Sequence, residues 1–167
     1  CKFCAYHTIS GKKTRYMKPE RIMADWERIR DNYGITNFNL YDDNFVLDRK
    51  RVVKFCELLV KKNSPFKWKC MARPDLVDLE LLKLMKRAGC VYVSYGFESP
   101  DQRVLDAINK GAKVADYVNA IRWTREAEIK LLAHVMIGLP QQDPASIDNT
   151  IDFFRENAPD EIMVNFY

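Results

Sequence analysis

The sequence predicts an α/β fold, a partial (β/α)6 TIM-type barrel with parallel strands. Helical and strand-length patterns alternate along all 167 residues, and strands joined by single helices form parallel crossover units. Each strand-length segment also has one apolar face and one mixed polar face. Because flat parallel sheets are usually apolar on both faces, this pattern favours a curved barrel wall whose inside holds a ligand.

The helices are predicted from apolar spacing and from residues that begin or end helices. In chain order, they run from Pro19 to Gly34, from a cap at Asp48 to Asn63, from a cap at Asp78 to Gly89, from a capping box at Ser99 to near Gly111, from Val114 to Glu128, and onward from Asp143 and Pro144.

The strands are predicted from five segments of strand length between these helices, in which successive side chains alternate sides. They are TNFNLY (36–41), FKWKCM (66–71), CVYVSYG (90–96), KLLAHVMIG (130–138) and DEIMVNFY (160–167). Two other arrangements are disfavoured. The intervening helices disfavour an antiparallel sheet with one solvent face, and the mixed polar faces disfavour a doubly wound sheet.

Composition limits the function classes. Lys and Arg outnumber Asp and Glu by 27 to 23, a net charge of +4 that gives weak support for nucleic-acid binding. No segment approaches the roughly 18 apolar residues of a membrane span, and the start does not resemble a signal peptide. Cys56, Cys70 and Cys90 lie in apolar periodic segments, where a thiol behaves as a small hydrophobe. A cytoplasmic protein without a disulfide framework is expected.

The chain begins CKFC, which places Cys1 and Cys4 at a spacing that can grip a metal or a cluster. Tetrahedral zinc sites want four ligands, commonly as paired C-x-x-C or Cys/His sets, and no second pair follows. A small non-enzymatic zinc module is therefore an alternative, but a disfavoured one.

Six motifs in order resemble the core of a radical S-adenosylmethionine (radical SAM) enzyme. They are CKFC, YDDNF, ARPD, GCVYVSYGFES, INKG and IGLP. The stretch H-x-x-x-G-K-K-x-R, from His7 to Arg15, is most similar to the branch that carries an upstream cobalamin-binding domain. The resemblance covers essentially the whole chain.

The family pattern is C-x-x-x-C-x-x-C with an aromatic residue before the last cysteine. Cys1 and Cys4 match the second and third cysteines as ligands of a 4Fe-4S cluster, and Phe3 matches the aromatic residue. A cluster held by three thiolates leaves one iron open. The resemblance thus implies that residues 1–167 are a core-domain fragment that begins at the second cluster cysteine, lacks all or part of its first strand and ends in or after the sixth. We expect this piece alone to hold a cluster poorly and to be inactive.

The resemblance also implies an activity. A 4Fe-4S cluster would reductively cleave S-adenosylmethionine to a 5'-deoxyadenosyl radical, which abstracts hydrogen from a small organic substrate. The branch includes cobalamin-dependent methyl transfer and ring formation, with cobalamin bound by a domain outside this chain and electrons supplied by a flavodoxin- or ferredoxin-type donor. A tRNA methylthiotransferase-like enzyme is the alternative, for which a stronger basic surface would be expected.

Site residues are expected where strands end. Asp43 lies on the inward face and is predicted, with Asn44, to bind the methionyl amino group, whereas Asp42 points the other way and could only cap a turn. Arg73 can offer a fork to a carboxylate or pair with Asp75 instead.

The next two strands supply the remaining candidates. Ser94 and Glu98 share the inward row, and Glu98 is predicted to bind ribose hydroxyls or the amino group, or to pair with Lys69. Gly138 would let the backbone approach the adenine. His134 faces inward as a candidate for substrate contact or proton transfer, although a satisfied core histidine is the commoner outcome.

Overall fold

In the computed structural model, which describes residues 1–5, 8, 11 and 14–167, at least one helix lies between each pair of successive strands. The strands are β1 (Asn37–Leu40), β2 (Lys67–Ala72), β3 (Cys90–Glu98), β4 (Lys130–Ile137) and β5 (Glu161–Phe166). The helices are α1 (Pro19–Tyr33), α2 (Arg49–Lys61), α3 (Leu79–Arg87), α4 (Gln102–Ala107), α5 (Val114–Glu126) and α6 (Pro144–Asn157). The motif residues His7, Lys12 and Lys13 lie outside the described residues.

The five strands form one sheet in which spatial order follows chain order, β1-β2-β3-β4-β5, and every neighbouring pair is parallel. A doubly wound sheet requires the strand order to reverse at a switch point. No reversal occurs in this sheet, so each crossover steps in the same direction, as in a barrel wall. The predicted parallel, barrel-type α/β fold is confirmed.

Most helix ends are capped as the sequence predicts. The Asp48 carboxylate accepts a hydrogen bond from the Arg51 N–H at the start of α2, and Asp78 does the same for the Leu81 N–H at the start of α3. Gly34 ends α1 with a left-handed φ of 70°. These caps satisfy backbone groups that a helix leaves unpaired at its ends.

The predicted capping box at Ser99 is wrong. The cap of α4 is Asp101, whose carboxylate accepts from the Arg103 N–H at 2.9 Å, and the helix ends at Ala107. The Ser99 Oγ accepts from the Asp101 N–H at 3.3 Å instead. Ser99 therefore stabilises the turn before the helix, which leaves Asp101, an equally good capping residue, to begin it.

The apolar faces of the strands pack against the helices around a core rich in aromatic rings. Trp26 of α1 stacks on Phe38 of β1 with ring centroids 4.3 Å apart, and the Trp68 indole N–H donates to the Ala88 carbonyl at 2.8 Å. The buried hydroxyls of Tyr95 and Thr124 form a hydrogen bond of 3.0 Å. Since the helices cover the apolar face of the sheet, the other face remains open.

The three core thiols lie where the sequence predicts. Cys56, Cys70 and Cys90 are buried and free. Burial raises the pKa of Cys56, and a hydrogen bond with Cys90, together with burial, raises that of Cys70. Cys56 and Cys70 are therefore protonated, and all three buried side chains pack as small apolar groups. In the described part of the chain, no helix is long and apolar enough to cross a bilayer.

Gly89 makes a turn that another residue could not make. Its φ is +91°, and an added Cβ would lie 2.1 Å from the Phe66 carbonyl oxygen. We expect Gly89→Ala to lower the free energy of unfolding by about 3 kcal/mol or more, since left-handed strain and a backbone collision add together. Gly34→Ala is the matched control, with φ +70° but nothing within 4 Å of the added Cβ, and should cost about 1–2 kcal/mol. Chemical denaturation measures both, and equal losses would contradict the collision.

Candidate active site

A pocket of about 290 Å³, lined by both charged and apolar side chains, opens at the carboxyl ends of the strands, on the face of the sheet that the core does not cover. Five predicted site residues line it together, namely Asp43, Arg73, Ser94, Glu98 and His134. The other lining residues are Met71, Ala72, Gly96, Lys110, Met136 and Asn165. The polar residues on one face of the strands therefore line a concave site, as the sequence predicts.

A buried ion pair forms one wall of the pocket. The Lys110 Nζ donates to the Glu98 Oε1 at 2.8 Å, and the two side chains are only 5% and 12% exposed. Glu98 adopts a φ of +64°, next to a register shift between β3 and β4 at Gly96 and Glu98. Such bulges re-aim a side chain at the end of a strand. The carboxylate is therefore placed by both the backbone and the lysine.

Gly96 provides the space for this pair. A Cβ at this position would lie 2.6 Å from the Glu98 Oε1 and 3.3 Å from the Lys110 Nζ. Any larger residue would have to displace the ion pair from the pocket wall. The glycine in the motif VSYGFES is thus explained by close approach of side chains.

The suggested pairing of Glu98 with Lys69 is wrong. The Lys69 Nζ lies 5.0 Å from the centroid of the Tyr92 ring, as a cation–π contact. Lys69 belongs to an earlier layer of the inward face, whereas Lys110 comes from the loop after α4 and reaches the strand end where Glu98 lies. The inward direction of a side chain does not show how far along the strands it lies, and Lys69 is too far from the strand end to reach Glu98.

Arg73 pairs with Asp75 and also lines the pocket. Its Nε and Nη2 donate to the two carboxylate oxygens of Asp75 at 3.0 and 2.8 Å, which is one of the two pairings predicted for Arg73. Its Nη2 also donates to the Lys110 carbonyl at 2.7 Å. These bonds hold the Arg73 side chain in place on the pocket wall. Its contact with a ligand carboxylate stays a prediction.

The loop after β1 has two acidic residues with different surroundings. Asp43 is exposed and lines the pocket, whereas Asp42 accepts from the Arg51 Nη2 at 3.0 Å. Asp42 therefore forms an ion pair with a residue of the first turn of α2. The Asn44 Oδ1 accepts from the Arg73 N–H at 3.3 Å, so Asn44 supports the site from behind the lining.

His134 lies on the pocket wall beside Gly96 in the strand register and is partly buried. Burial lowers its pKa below the ordinary 6.5, and the negative charge of Glu98 partly opposes this shift. The imidazole is therefore neutral at neutral pH and can both donate and accept a hydrogen bond. A role in proton transfer stays a prediction.

Gly138 lies at the carboxyl end of β4 but is not among the residues that line the pocket. Its N–H and that of Leu139 donate to the Gln142 Oε1 at 2.7 and 3.0 Å, and the Gln142 Nε2 donates to the Met136 carbonyl. The Gln142 side chain therefore fixes this turn from within. An adenine contact at Gly138 stays a prediction, and it would have to use groups other than the N–H.

The cysteine loop contacts the loop after α4, which also supplies Lys110 to the pocket wall. The Lys2 N–H donates to the Ile108 carbonyl at 2.7 Å, and Phe3 packs against the core. Cys1 and Cys4 are exposed and free. Two accessible thiols on one short loop suit a thiolate-held iron–sulfur cluster. Within the described ranges, no third His, Cys, Asp or Glu joins them, so the further cysteine stays a prediction.

Lys110 in the pocket wall and Arg51 outside it are two charged residues whose buried positions were not predicted from the sequence. Lys110 lies in the quoted motif INKG, yet its role depends on the fold of the loop after α4 back onto the end of β3, which no local pattern reveals. Arg51 lies in the first turn of α2, where a basic residue ordinarily indicates a solvated surface. The signal for Lys110 was its motif, and for Arg51 none was apparent.

Comparison with known families identifies the class. The Radical SAM superfamily model matches residues 1–154, and the chain belongs to this superfamily. The predicted cofactors, a 4Fe-4S cluster and S-adenosylmethionine, are those of the family.

Particular relatives define the branch that the chain resembles. It is 31% identical over 164 residues to the anaerobic magnesium-protoporphyrin IX monomethyl ester cyclase of Cereibacter sphaeroides, covering 96% of this chain and 27% of that protein. It is 25% identical over 164 residues to the bacteriochlorophyllide d C-12(1)-methyltransferase of Chlorobaculum tepidum, covering 94% and 35%.

The fold is also that of a solved radical S-adenosylmethionine methyltransferase, TsrM from Kitasatospora setae, whose structure has cobalamin and a 4Fe-4S cluster bound. The TM-score is 0.87 at 20% identity, covering 99% of this chain and 34% of TsrM. The chain thus spans about a third or less of the length of these relatives.

Removing one member of the buried ion pair should be costly. We expect Lys110→Met to lower the free energy of unfolding by about 3–5 kcal/mol, because it leaves the Glu98 carboxylate buried without its partner. The double variant Lys110→Met with Glu98→Gln should recover most of this loss, since no uncompensated charge remains. Chemical denaturation of Lys110→Met, Glu98→Gln and the double variant measures the three losses of unfolding free energy. Additive losses would contradict the pairing.

His134 should make stability pH-dependent. The pKa of His134 is lower in the folded protein, so the unfolded chain binds a proton at this site more readily. The contribution of His134 to stability is therefore fully present above pH 6.5. It is lost as the pH falls from 6.5 toward the folded pKa. Thermal unfolding between about pH 5 and pH 8 should show a shallower slope in His134→Gln than in the wild type. His7→Gln is the control for the second histidine. Identical slopes for wild type and His134→Gln would contradict the shift.

Proposed function

We propose that the full-length protein carrying this chain is a radical SAM enzyme that acts on a small organic molecule, with cobalamin-dependent methyl transfer or ring formation as its reaction. The observation that carries the proposal is that, in a chain of this family, the loop after α4 contacts both the cysteine loop and the pocket. Ile108 accepts a hydrogen bond from the Lys2 N–H, and Lys110 lines the pocket. When bound, the cluster and S-adenosylmethionine supply a 5'-deoxyadenosyl radical that abstracts hydrogen from the substrate.

The chain's own residues would bind and orient S-adenosylmethionine. Glu98, held through one oxygen by Lys110, can accept hydrogen bonds from ribose hydroxyls or the amino group through the other. Asp43 offers a second carboxylate across the pocket. The Arg73 guanidinium, fixed by Asp75, supplies a positive charge for the methionyl carboxylate.

The remaining wall suits reactive chemistry. Met71 and Met136 contribute apolar surface, which excludes water from part of the pocket. His134, neutral at neutral pH, can hold or transfer a proton on the substrate side. A volume of about 290 Å³ lies at the small end of the usual range for ligand sites.

The reaction type and the partners rest on the relatives. A cyclase and a methyltransferase are among them, and TsrM was solved with cobalamin bound. We infer that cobalamin would be bound outside residues 1–167, and that a flavodoxin- or ferredoxin-type protein would supply the electron. No residue described in this chain is assigned to cobalamin.

The radical reaction is tested with the full-length protein reconstituted anaerobically with iron and sulfide. Addition of S-adenosylmethionine and a reductant should yield 5'-deoxyadenosine, detected by mass spectrometry. Cys4→Ala should abolish the product, because it removes a cluster ligand. Cys56→Ala, which alters a buried thiol, should leave cluster content unchanged. An intact cluster in the wild type without nucleoside product would overturn the proposal.

Cobalamin use is a separate outcome. Full-length protein should bind hydroxocobalamin, seen by its absorption after gel filtration. Nucleoside product from a protein that binds no cobalamin would reject the cobalamin branch and keep the radical SAM assignment.

A further inference from the structure

Arg51 is a buried cation in the first turn of α2, outside the residues that line the pocket. Its side chain is only 7% exposed. Its Nε donates to the Met17 carbonyl at 3.1 Å and its Nη2 to the Asp42 carboxylate at 3.0 Å. The Nη1 is buried without a hydrogen-bond partner among the described residues.

This placement is unfavourable for stability. A positive charge near the amino end of a helix opposes the helix dipole. Burial of a charge carries a desolvation cost that a single ion pair often fails to offset, and the unpaired Nη1 adds a further cost. An apolar residue would avoid all three, so stability alone does not explain an arginine here.

The contacts of Arg51 enclose the two residues at the pocket edge. Asp42, which precedes Asp43, is held by the ion pair. Phe45, which follows Asn44, lies under the guanidinium with its ring centroid 5.0 Å from the Arg51 Cζ. One side chain therefore fixes both ends of the Asp43–Asn44 pair.

The same guanidinium also holds the segment that leads into α1. The Tyr16 ring centroid lies 5.0 Å from the Arg51 Cζ, and the carbonyl of Met17 accepts from the Nε. Planar stacking and a forked donor together are properties of arginine that lysine lacks.

We propose that Arg51 is a positioning residue for S-adenosylmethionine binding, which holds the turn from Asp42 to Phe45 so that the Asp43 carboxylate faces the pocket. The inference rests on the proposed function, since it takes the pocket to be the S-adenosylmethionine site. Arg51 acts through Asp43 and has no contact of its own with the ligand.

The test is equilibrium dialysis of labelled S-adenosylmethionine against cluster-loaded full-length protein. Arg51→Met should weaken binding about tenfold, the loss expected when one charge-assisted hydrogen bond to the ligand is misplaced. Arg51→Lys should lie between this variant and the wild type. Arg49→Met is the matched control, because Arg49 lies in the same helical turn but pairs with Asp78 at the surface, and it should bind within about twofold of the wild type.

A double-variant cycle distinguishes positioning from general destabilisation. In an Asp43→Asn background, Arg51→Met should cost less than about twofold further, because the group that it positions is already altered. Asp42→Asn, which weakens the ion pair from the other side, should reproduce the loss and the same coupling. If Arg51→Met does not fold, Arg51→Lys and Asp42→Asn decide by the same cycle.

Three results would overturn the inference. Folded Arg51→Met that binds like the wild type excludes the role, and so do losses for Arg51 and Asp43 that multiply independently. Wild-type protein with a full cluster and no binding of S-adenosylmethionine overturns the proposed function as well, which separates that failure from the first two.

Discussion

Glu98 and Lys110 form a salt bridge with almost no access to water, and the geometry of the candidate site depends on it. A carboxylate in such a place needs a partner, because an uncompensated charge in the interior is strongly unfavourable. The lysine that provides it also accepts a hydrogen bond from Arg73 through its carbonyl. Two residues earlier in the same loop, Ile108 holds the backbone of Lys2. One short loop thereby fixes the carboxylate, the guanidinium and the cysteine loop relative to one another.

The sheet explains why these groups meet. Five parallel strands in chain order carry their apolar faces toward the helices, which leaves the other face to curve around a cavity. The carboxyl ends of the strands then lie along one edge, and residues far apart in the chain, such as Asp43 and His134, line one pocket. Glu98 reaches into it because a bulge and a positive φ turn the end of β3 inward. Strain of this kind at a strand end is typical of functional sites.

Much of this could be predicted from the sequence because it depends on local patterns. Alternation along single strands placed Ser94 and Glu98 on the inward face, and Asp48 and Asp78 were recognisable as helix caps. The cap at Ser99 was misassigned, since Ser99 and Asp101 compete for the same role two positions apart.

What failed depends on contacts between distant segments. Lys69 was correctly predicted to lie on the inward face, but it is too far from the strand end to pair with Glu98. Strand alternation does not show how far along the barrel axis a side chain lies. Arg51 escaped notice for a related reason. A basic residue in a helix looks solvated in sequence, and only the packing of Tyr16 and Phe45 around it reveals burial.

Under the proposed function, S-adenosylmethionine binds in the pocket at the carboxyl ends of the strands. The most direct test is a structure of the full-length protein with its cluster and S-adenosylmethionine bound. It should show the nucleoside within hydrogen-bond distance of Glu98, with the Lys110 ion pair intact and the methionyl group toward Cys1 and Cys4. A ligand bound elsewhere, or a Glu98 turned away from it, would contradict the account.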